Sequence, residues 1–178
     1  LGNRLRSTNM TSLFPHPQYA EDQPNAHAIL YLHVIRASAM SFSFLSLPYI
    51  SISLLTSRLR KQPTPTGTFL SRTLINSGHG LVLGTVAGAV MTWGRMRERE
   101  EIEWQDRSWL LLENKGEVDT DWETIGATGV GALAGIAAAR RGVVPVSAGR
   151  AALGGAGLGL GSGVLFMIGT YVAGRKPA

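Results

Sequence analysis

His33 and Arg36 are the residues whose position suggests chemistry first, because they lie one helical turn apart inside an apolar stretch. Ionisable groups at membrane depth serve as proton relays, lipid headgroup contacts or ion-pair partners. A relay is expected to include membrane carboxylates, and the apolar stretches 27–55, 73–96 and 151–173 contain no Asp or Glu. We therefore expect His33 and Arg36 to contact a lipid or a partner protein, with a proton relay as the alternative.

The acidic run between Glu98 and Asp106 is a second candidate for chemistry. Glu100, Glu103 and Asp106 are spaced three residues apart, as a general acid–base pair or a metal site on one helix face would require. Arginines are interleaved among these acids, so ion pairs along a solvated helix are the favoured interpretation. The serines between 38 and 57 have no His and carboxylate at a recognisable spacing for nucleophilic catalysis.

Two glycine motifs resemble nucleotide-binding loops. Gly129-x-Gly131-x-x-Ala134 fits a relaxed dinucleotide fingerprint, and residues 154–163 are as rich in glycine as a phosphate loop. Both motifs need a preceding strand, which the sequence does not predict, and no Gly-Lys-Ser/Thr is present. The chain also has no cysteine, which excludes disulfides, thiolate metal sites and a cysteine nucleophile. We expect no catalytic residue, no metal and no cofactor.

The composition indicates the elements that carry these residues. The 178 residues include 22 glycines, and only 16% are charged, against about 25% in a typical soluble domain. Residues 74–94, 124–139 and 151–174 contain no Asp, Glu, Lys or Arg. A helix of about 20 residues crosses a bilayer. The sequence therefore predicts an all-α membrane protein with four transmembrane helices, at about 27–55, 73–96, 122–139 and 151–173.

The segments between the predicted spans are polar. A polar N-terminal arm, 1–26, precedes a transmembrane domain, 27–176, whose loops are basic (57–72), acidic (97–121) and basic again (140–150). The acidic loop contains Trp104 and Trp109 among its charges and predicts an amphipathic surface helix. Pro48 predicts a kink or a break in the first span. The spacing of Thr120 and Glu123 is that of a capping box, which predicts that the third span begins there.

Glycines recur every four residues in three of the spans, which puts them on one face of each helix. Such ridges let two helix backbones approach closely in a membrane. The pattern predicts helix packing, within the chain or onto a partner, through these ridge residues: Gly80, Gly84, Gly88, Gly131, Gly135, Gly155, Gly159 and Gly163.

The charges of the loops predict an orientation. The loops 57–72 and 140–150 hold only bases, whereas residues 95–123 hold five bases and ten acids. By the positive-inside rule the two basic loops face the matrix or the cytoplasm, and both termini lie on the other side with the acidic loop. Arg140 and Arg141 in the second basic loop are further candidates for contact with a lipid or a partner.

One segment carries a resemblance to a known family. The run from Phe14 to Pro24, FPHPQYAEDQP, leads into His27 and into His33-x-x-Arg36, and the four small-residue spans are broken by an acidic, Trp-containing loop. From about 14 to 176, the chain resembles the fungal accessory subunits of mitochondrial respiratory complex I of the NUXM type. Its four-span, glycine-ridge layout is also similar to the Tim17/Tim22/Tim23 family of translocase proteins, to which the B14.7-type accessory subunits are related.

The resemblance implies a multi-pass protein of the mitochondrial inner membrane, with its basic loops toward the matrix and both termini toward the intermembrane space. It implies a non-catalytic, supernumerary subunit of the membrane arm of NADH:ubiquinone oxidoreductase that contributes to assembly and stability. The implied partners are other membrane-arm subunits and phospholipid, with cardiolipin as a candidate, and not nucleic acid. The alternatives are a translocase-like subunit, from whose disulfide-containing members the absence of cysteine departs, and a small transporter.

Overall fold

The structure, a computed structural model, describes residues 14–61 and 69–174. Over these residues the chain is helical: a short 3-10 turn, Ala20–Asp22, is followed by five α-helices. They are α1 (Ala26–Leu59), α2 (Phe69–Met96), α3 (Glu101–Glu113), α4 (Lys115–Arg140) and α5 (Ala148–Val172). The predicted all-α class is confirmed for the described part. Residues 1–13 of the predicted arm, 62–68 of the first basic loop and the last four residues lie outside it.

Three of these helices, α1, α2 and α5, are long and apolar enough to cross a membrane, with 34, 28 and 25 residues. The chain therefore has the helices of a membrane protein. α4 has 26 residues but is not among the three. Its first two turns carry acids, and the remainder is dominated by Gly, Ala and Thr, whose small or polar side chains contribute little hydropathy.

α1 runs without a break through Pro48, so the first predicted span is one helix. Proline removes one backbone donor from a helix at a cost of about 3 kcal/mol. In an apolar setting, breaking the helix at Pro48 would cost more free energy than keeping it, because further backbone N–H and C=O groups would lose their hydrogen-bond partners. The helix also extends to Leu59, and α2 begins at Phe69, so both helices take up part of the predicted basic loop.

The start of α4 differs from the expectation based on Thr120 and Glu123. The helix begins at Lys115, where the side chain of Asn114 accepts hydrogen bonds from the backbone N–H of Gly116 at 3.1 Å and of Glu117 at 3.4 Å. Asn is one of the strongest N-cap residues, so it starts the helix before Thr120 is reached. The predicted acidic loop thus becomes mostly helix: α3, at the predicted place of the surface helix, and the first turns of α4.

The helices pack closely in pairs, α1 with α2 and α4 with α5, and α5 also packs on α1 and α2. α3 lies against the first turns of α1 and beneath the 3-10 turn. The buried apolar core is small: Ala26, Leu30, Met96 and Trp104 form one cluster where α3 meets α1 and α2. Many large apolar side chains are exposed instead along α1, α2, α4 and α5. Such an exterior is typical of a protein that faces hydrocarbon or other helices.

Candidate functional site

The glycines of α2 lie directly against the backbone of α1. A Cβ added at Gly80 would lie 2.6 Å from the carbonyl oxygen of Phe42, and one added at Gly84 would lie 2.5 Å from Cα of Ala39. At Gly88 it would lie 2.7 Å from Cα of Ile35. No side chain fits at these distances, so only glycine permits this separation of the two helices.

The glycines of α4 lie against those of α5 in the same way. A Cβ at Gly131 would overlap the carbonyl oxygen of Gly155, and a Cβ at Gly155 would overlap that of Gly131. Gly135 similarly meets the carbonyl oxygen of Ala151, and Gly159 meets that of Ala127. The contact is therefore reciprocal, and it brings together two of the predicted ridges within one chain.

α5 has a second glycine face that the four-residue ridges did not identify. A Cβ at Gly154 would overlap the carbonyl oxygen of Leu74, and one at Gly157 would lie 2.5 Å from that of Ser77, both on α2. Gly163, a predicted ridge residue, faces Thr124 of α4 and the sulfur of Met40 in α1. The many glycines of α5 let this one helix contact three others. In the sequence, Gly154 and Gly157 lie on a different helix face from Gly155 and Gly159, and this pattern could have indicated the second contact face.

Arg36 is held by two carboxylates of α4. Its Nη2 lies 2.8 Å from Oε2 of Glu117, and its Nε forms an ion pair with Oδ1 of Asp121. The Arg36 side chain is only 11% exposed. Glu117 and Asp121 are one turn apart, so they present both carboxylates on one face of α4. The structure thus gives Arg36 partners within the chain, although both acids fall in the segment that the sequence predicts to be an acidic loop.

His33 completes this group, which we call the ion cluster: His33, Arg36, Glu117 and Asp121. Nη2 of Arg36 lies 3.2 Å from Nδ1 of His33. Because a guanidinium can only donate, Nδ1 accepts, and the ring proton is on Nε2, which faces Oε2 of Glu117 at 3.9 Å. The imidazole is then neutral, and the cluster holds one positive charge against two negative charges.

A cavity of about 200 Å³ adjoins the ion cluster, between α1 and α4 and under α3. Its lining is mostly apolar, with the ion cluster at one side. The lining residues are Phe14, Ile29, Leu32, His33, Arg36, Leu111, Leu112, Val118, Asp121, Trp122 and Ile125. A site of this kind combines an apolar volume with a few convergent polar groups, as small-molecule and lipid sites do.

Arg140 and Arg141 lie far from the ion cluster. Both are exposed at the end of α4, where Arg140 is the last helical residue and Arg141 the C-cap. Glu117 and Arg141 are separated by most of the length of α4, about 36 Å at 1.5 Å per residue. The four residues predicted to contact lipid or partners therefore divide between opposite ends of the helices.

The N-terminal segment is attached to α3 by two aromatic contacts of similar design. The ring of His16 stacks on that of Trp109, with the two centroids 5.0 Å apart, and Nε2 of His16 lies 3.5 Å from Oε1 of Glu113. Nε1 of Trp109 donates a hydrogen bond to the carbonyl oxygen of Pro17 at 3.0 Å. His27, at the start of α1, stacks on Trp104 at 3.9 Å and lies 2.8 Å from Glu101. The part of the predicted polar arm that the structure describes is thereby held on the protein surface.

Trp109→Phe keeps an aromatic ring but removes the indole N–H that binds Pro17. One net hydrogen bond contributes about 1 kcal/mol, so we expect the segment before α1 to detach roughly fivefold more often. Chymotrypsin cleavage at Tyr19, which is exposed, measures this opening. Trp93→Phe, at an exposed position of α2, is the matched control and leaves the rate unchanged. An equal rate in both variants would contradict the role of the indole contact.

Another polar contact joins α4 to α5 near the ion cluster. Oγ of Ser162 donates to Oε1 of Glu123 at 3.1 Å. Glu123 is thus a carboxylate within the third predicted span, although its spacing from Thr120 predicts a role in capping the helix. Within residues 14–61 and 69–174, no group of three or more His, Asp or Glu side chains is placed to hold a metal ion.

Comparison of the chain with protein-family models, with curated proteins and with solved structures finds no significant match.

Proposed function

We propose that this chain is a non-catalytic accessory subunit of the membrane arm of mitochondrial NADH:ubiquinone oxidoreductase, and that it contributes to assembly and stability by helix packing. In this proposal α4 is a fourth membrane-spanning helix beside α1, α2 and α5. The basic loops face the matrix, and the termini and α3 face the intermembrane space. The resemblance of the segment 14–24 and of the span order to such subunits is the starting point.

The observation that supports the proposal best is the use of glycine within the chain. The glycines join α1 to α2, α4 to α5 and α5 to α2 through backbone contact, so these glycine faces are already packed within the chain. The large apolar side chains then point outward, as Leu83, Val130, Leu133 and Leu165 do. A helical bundle that exposes many large apolar side chains is suited to packing among other transmembrane helices, since dispersion contacts drive helix association in membranes.

α4 is supported as a fourth span by its neighbours. It lies against α5 over much of its length, through Ala127, Gly131 and Gly135, and α5 is itself long and apolar enough to cross a membrane. Residues 124–139 of α4 carry no charge. An uncharged helical segment in backbone contact with a membrane-spanning helix is expected to lie at the same depth in the membrane. Four spans also place both basic loops on one side, as the positive-inside rule requires.

The test is the migration of the chain in a native gel. Mitochondrial membranes containing a C-terminally tagged chain are solubilised in mild detergent, and the gel is stained for NADH dehydrogenase activity and analysed by mass spectrometry. We expect the tag to migrate with the respiratory complex and its membrane-arm peptides. Migration with protein-import components, or as a small free species, would overturn the proposal in favour of the translocase-like or transporter class.

A further inference from the structure

The interface between α1 and α4, which contains the cavity, differs from the other helix interfaces. Here charged side chains connect the two helices, and the helix backbones are not in direct contact. Arg36 reaches across from α1 to Glu117 and Asp121 of α4, whereas the other major seams are closed by glycine. The bridge leaves about 200 Å³ open beside it. An apolar cavity of about 150 Å³ is large enough to bind benzene, so this volume is sufficient for a segment of an apolar chain.

The ion cluster beside the cavity carries a net negative charge, although its Glu117 is not among the residues that line the cavity. Arg36 contributes one positive charge, Glu117 and Asp121 contribute two negative charges, and the neutral His33 contributes none. Asp121 is the carboxylate that lines the cavity, and its side chain is 35% exposed, against 24% for Glu117. Arg36 holds one oxygen of Asp121, and the remaining acceptor sites of this carboxylate are available to a donor in the cavity.

The mouth of the cavity is apolar. Leu32 of α1 and Trp122 and Ile125 of α4 line it and are 56%, 45% and 51% exposed. Both helices expose large apolar side chains further along their length, among them Leu45 and Leu133. A mouth lined by such side chains can open toward hydrocarbon when the chain is in a membrane, and a ligand that enters through it then comes from the bilayer. A ligand with an apolar chain and a cationic hydrogen-bond donor fits this site, because the chain can contact the apolar mouth and the donor can bind the carboxylate.

We propose that this cavity binds a membrane amphiphile with a protonated primary amine, with its apolar chain between α1 and α4 and its amine at Asp121. Phosphatidylethanolamine and free sphingoid bases share this chemistry. The quaternary amine of phosphatidylcholine cannot donate a hydrogen bond, and anionic lipids are repelled by the excess carboxylate. The inference requires only that the chain is embedded in a membrane, so it stands independently of the proposed respiratory complex.

The experiment uses the full chain in vesicles of phosphatidylcholine that contain one photoreactive lipid with a diazirine in its acyl chain. The probes carry ethanolamine, choline or glycerol headgroups, and peptides of α1 and α4 are analysed for adducts after irradiation. We expect labelling beside the cavity, at Leu32 or Ile125, to be about tenfold stronger with the ethanolamine probe than with the choline probe, the effect of one hydrogen bond to a charged group. Equal labelling by all three probes, or stronger labelling by the anionic one, would overturn the proposal.

Two variants separate the site from general lipid contact. Asp121→Asn keeps the shape of the side chain and is expected to reduce the ethanolamine preference to about that of choline. Ile125→Phe narrows the mouth without touching the ion cluster and is expected to reduce labelling by every probe, whereas Leu133→Phe, on the exposed face of α4, changes nothing. Retention of the ethanolamine preference in Asp121→Asn, together with undiminished labelling in Ile125→Phe, would refute the site.

A competition arm distinguishes the two sources of the amine. Unlabelled sphingosine and unlabelled phosphatidylethanolamine are added separately to vesicles that contain the ethanolamine probe. Displacement by both supports the shared amine chemistry, and the stronger competitor identifies the source. Displacement by neither, at amounts well above the probe, would show that the labelling does not report a saturable site and would overturn the proposal.

Discussion

Gly131→Ala is expected to separate α4 from α5, although it adds a single methyl group. The new Cβ would overlap the carbonyl oxygen of Gly155 and would also lie 3.2 Å from the backbone N of Gly159. These neighbours are backbone atoms of a helix, which cannot rotate away as a side chain can. Overpacking a well-packed interior costs about 1–3 kcal/mol and occasionally more, and we expect the upper end of that range here.

Gly129→Ala is the matched control for this substitution. Gly129 lies two residues away on the same helix, and nothing lies within 4 Å of a Cβ added there. Ala is favoured over Gly in a helix by about 1 kcal/mol, so this variant should be as stable as the parent chain or more stable. The measurement is the midpoint temperature at which the detergent-extracted chain aggregates. A change of about 3 kcal/mol corresponds to roughly 6–12 °C for a chain of this size. Equal midpoints for the two variants would show that α4 and α5 are not in backbone contact.

The sequence predicted the helical class and the places of the long helices because uncharged length is a local property. A run such as 151–174 admits few structures other than a membrane helix or a buried one. The ends of the helices were less predictable, because several residues compete to cap a helix. Thr120 and Glu123 have the spacing of a capping box, but Asn114 lies earlier in the chain and binds two backbone N–H groups. The stronger cap determined the start of α4.

The ion cluster and the cavity could not be predicted, because they depend on which helices are neighbours. Arg36 and Glu117 are 81 positions apart in the chain. Their distance is set by α5, whose glycines allow it to contact α1, α2 and α4 at once. A ridge of glycines indicates that a helix packs closely against another helix, but it does not indicate which one. The one local signal was the one-turn spacing of Glu117 and Asp121, which only a helix starting before residue 117 places on one face.

Arg36→Met is expected to lower stability by about 3 kcal/mol, since removing one partner of a buried ion pair leaves the other charges uncompensated. Glu117 and Asp121 would then lie side by side on α4 with no cation between them and α1. Met retains much of the length of the arginine stem, so lost packing contributes little. The midpoint temperature of aggregation in detergent should fall by roughly 6–12 °C. Arg150→Met, at an exposed position in the first turn of α5, is the control and should leave the midpoint unchanged.

The combined variant Arg36→Met/Glu117→Gln/Asp121→Asn distinguishes a charge effect from a shape effect. It removes the cation and both anions while it keeps similar side-chain volumes, and the cost of breaking a buried ion pair comes mainly from the charge that is left without a partner. We therefore expect the triple variant to recover most of the stability that Arg36→Met loses. A triple variant no more stable than Arg36→Met would mean that the arginine contributes through its own packing, and that the bridge between α1 and α4 is not electrostatic.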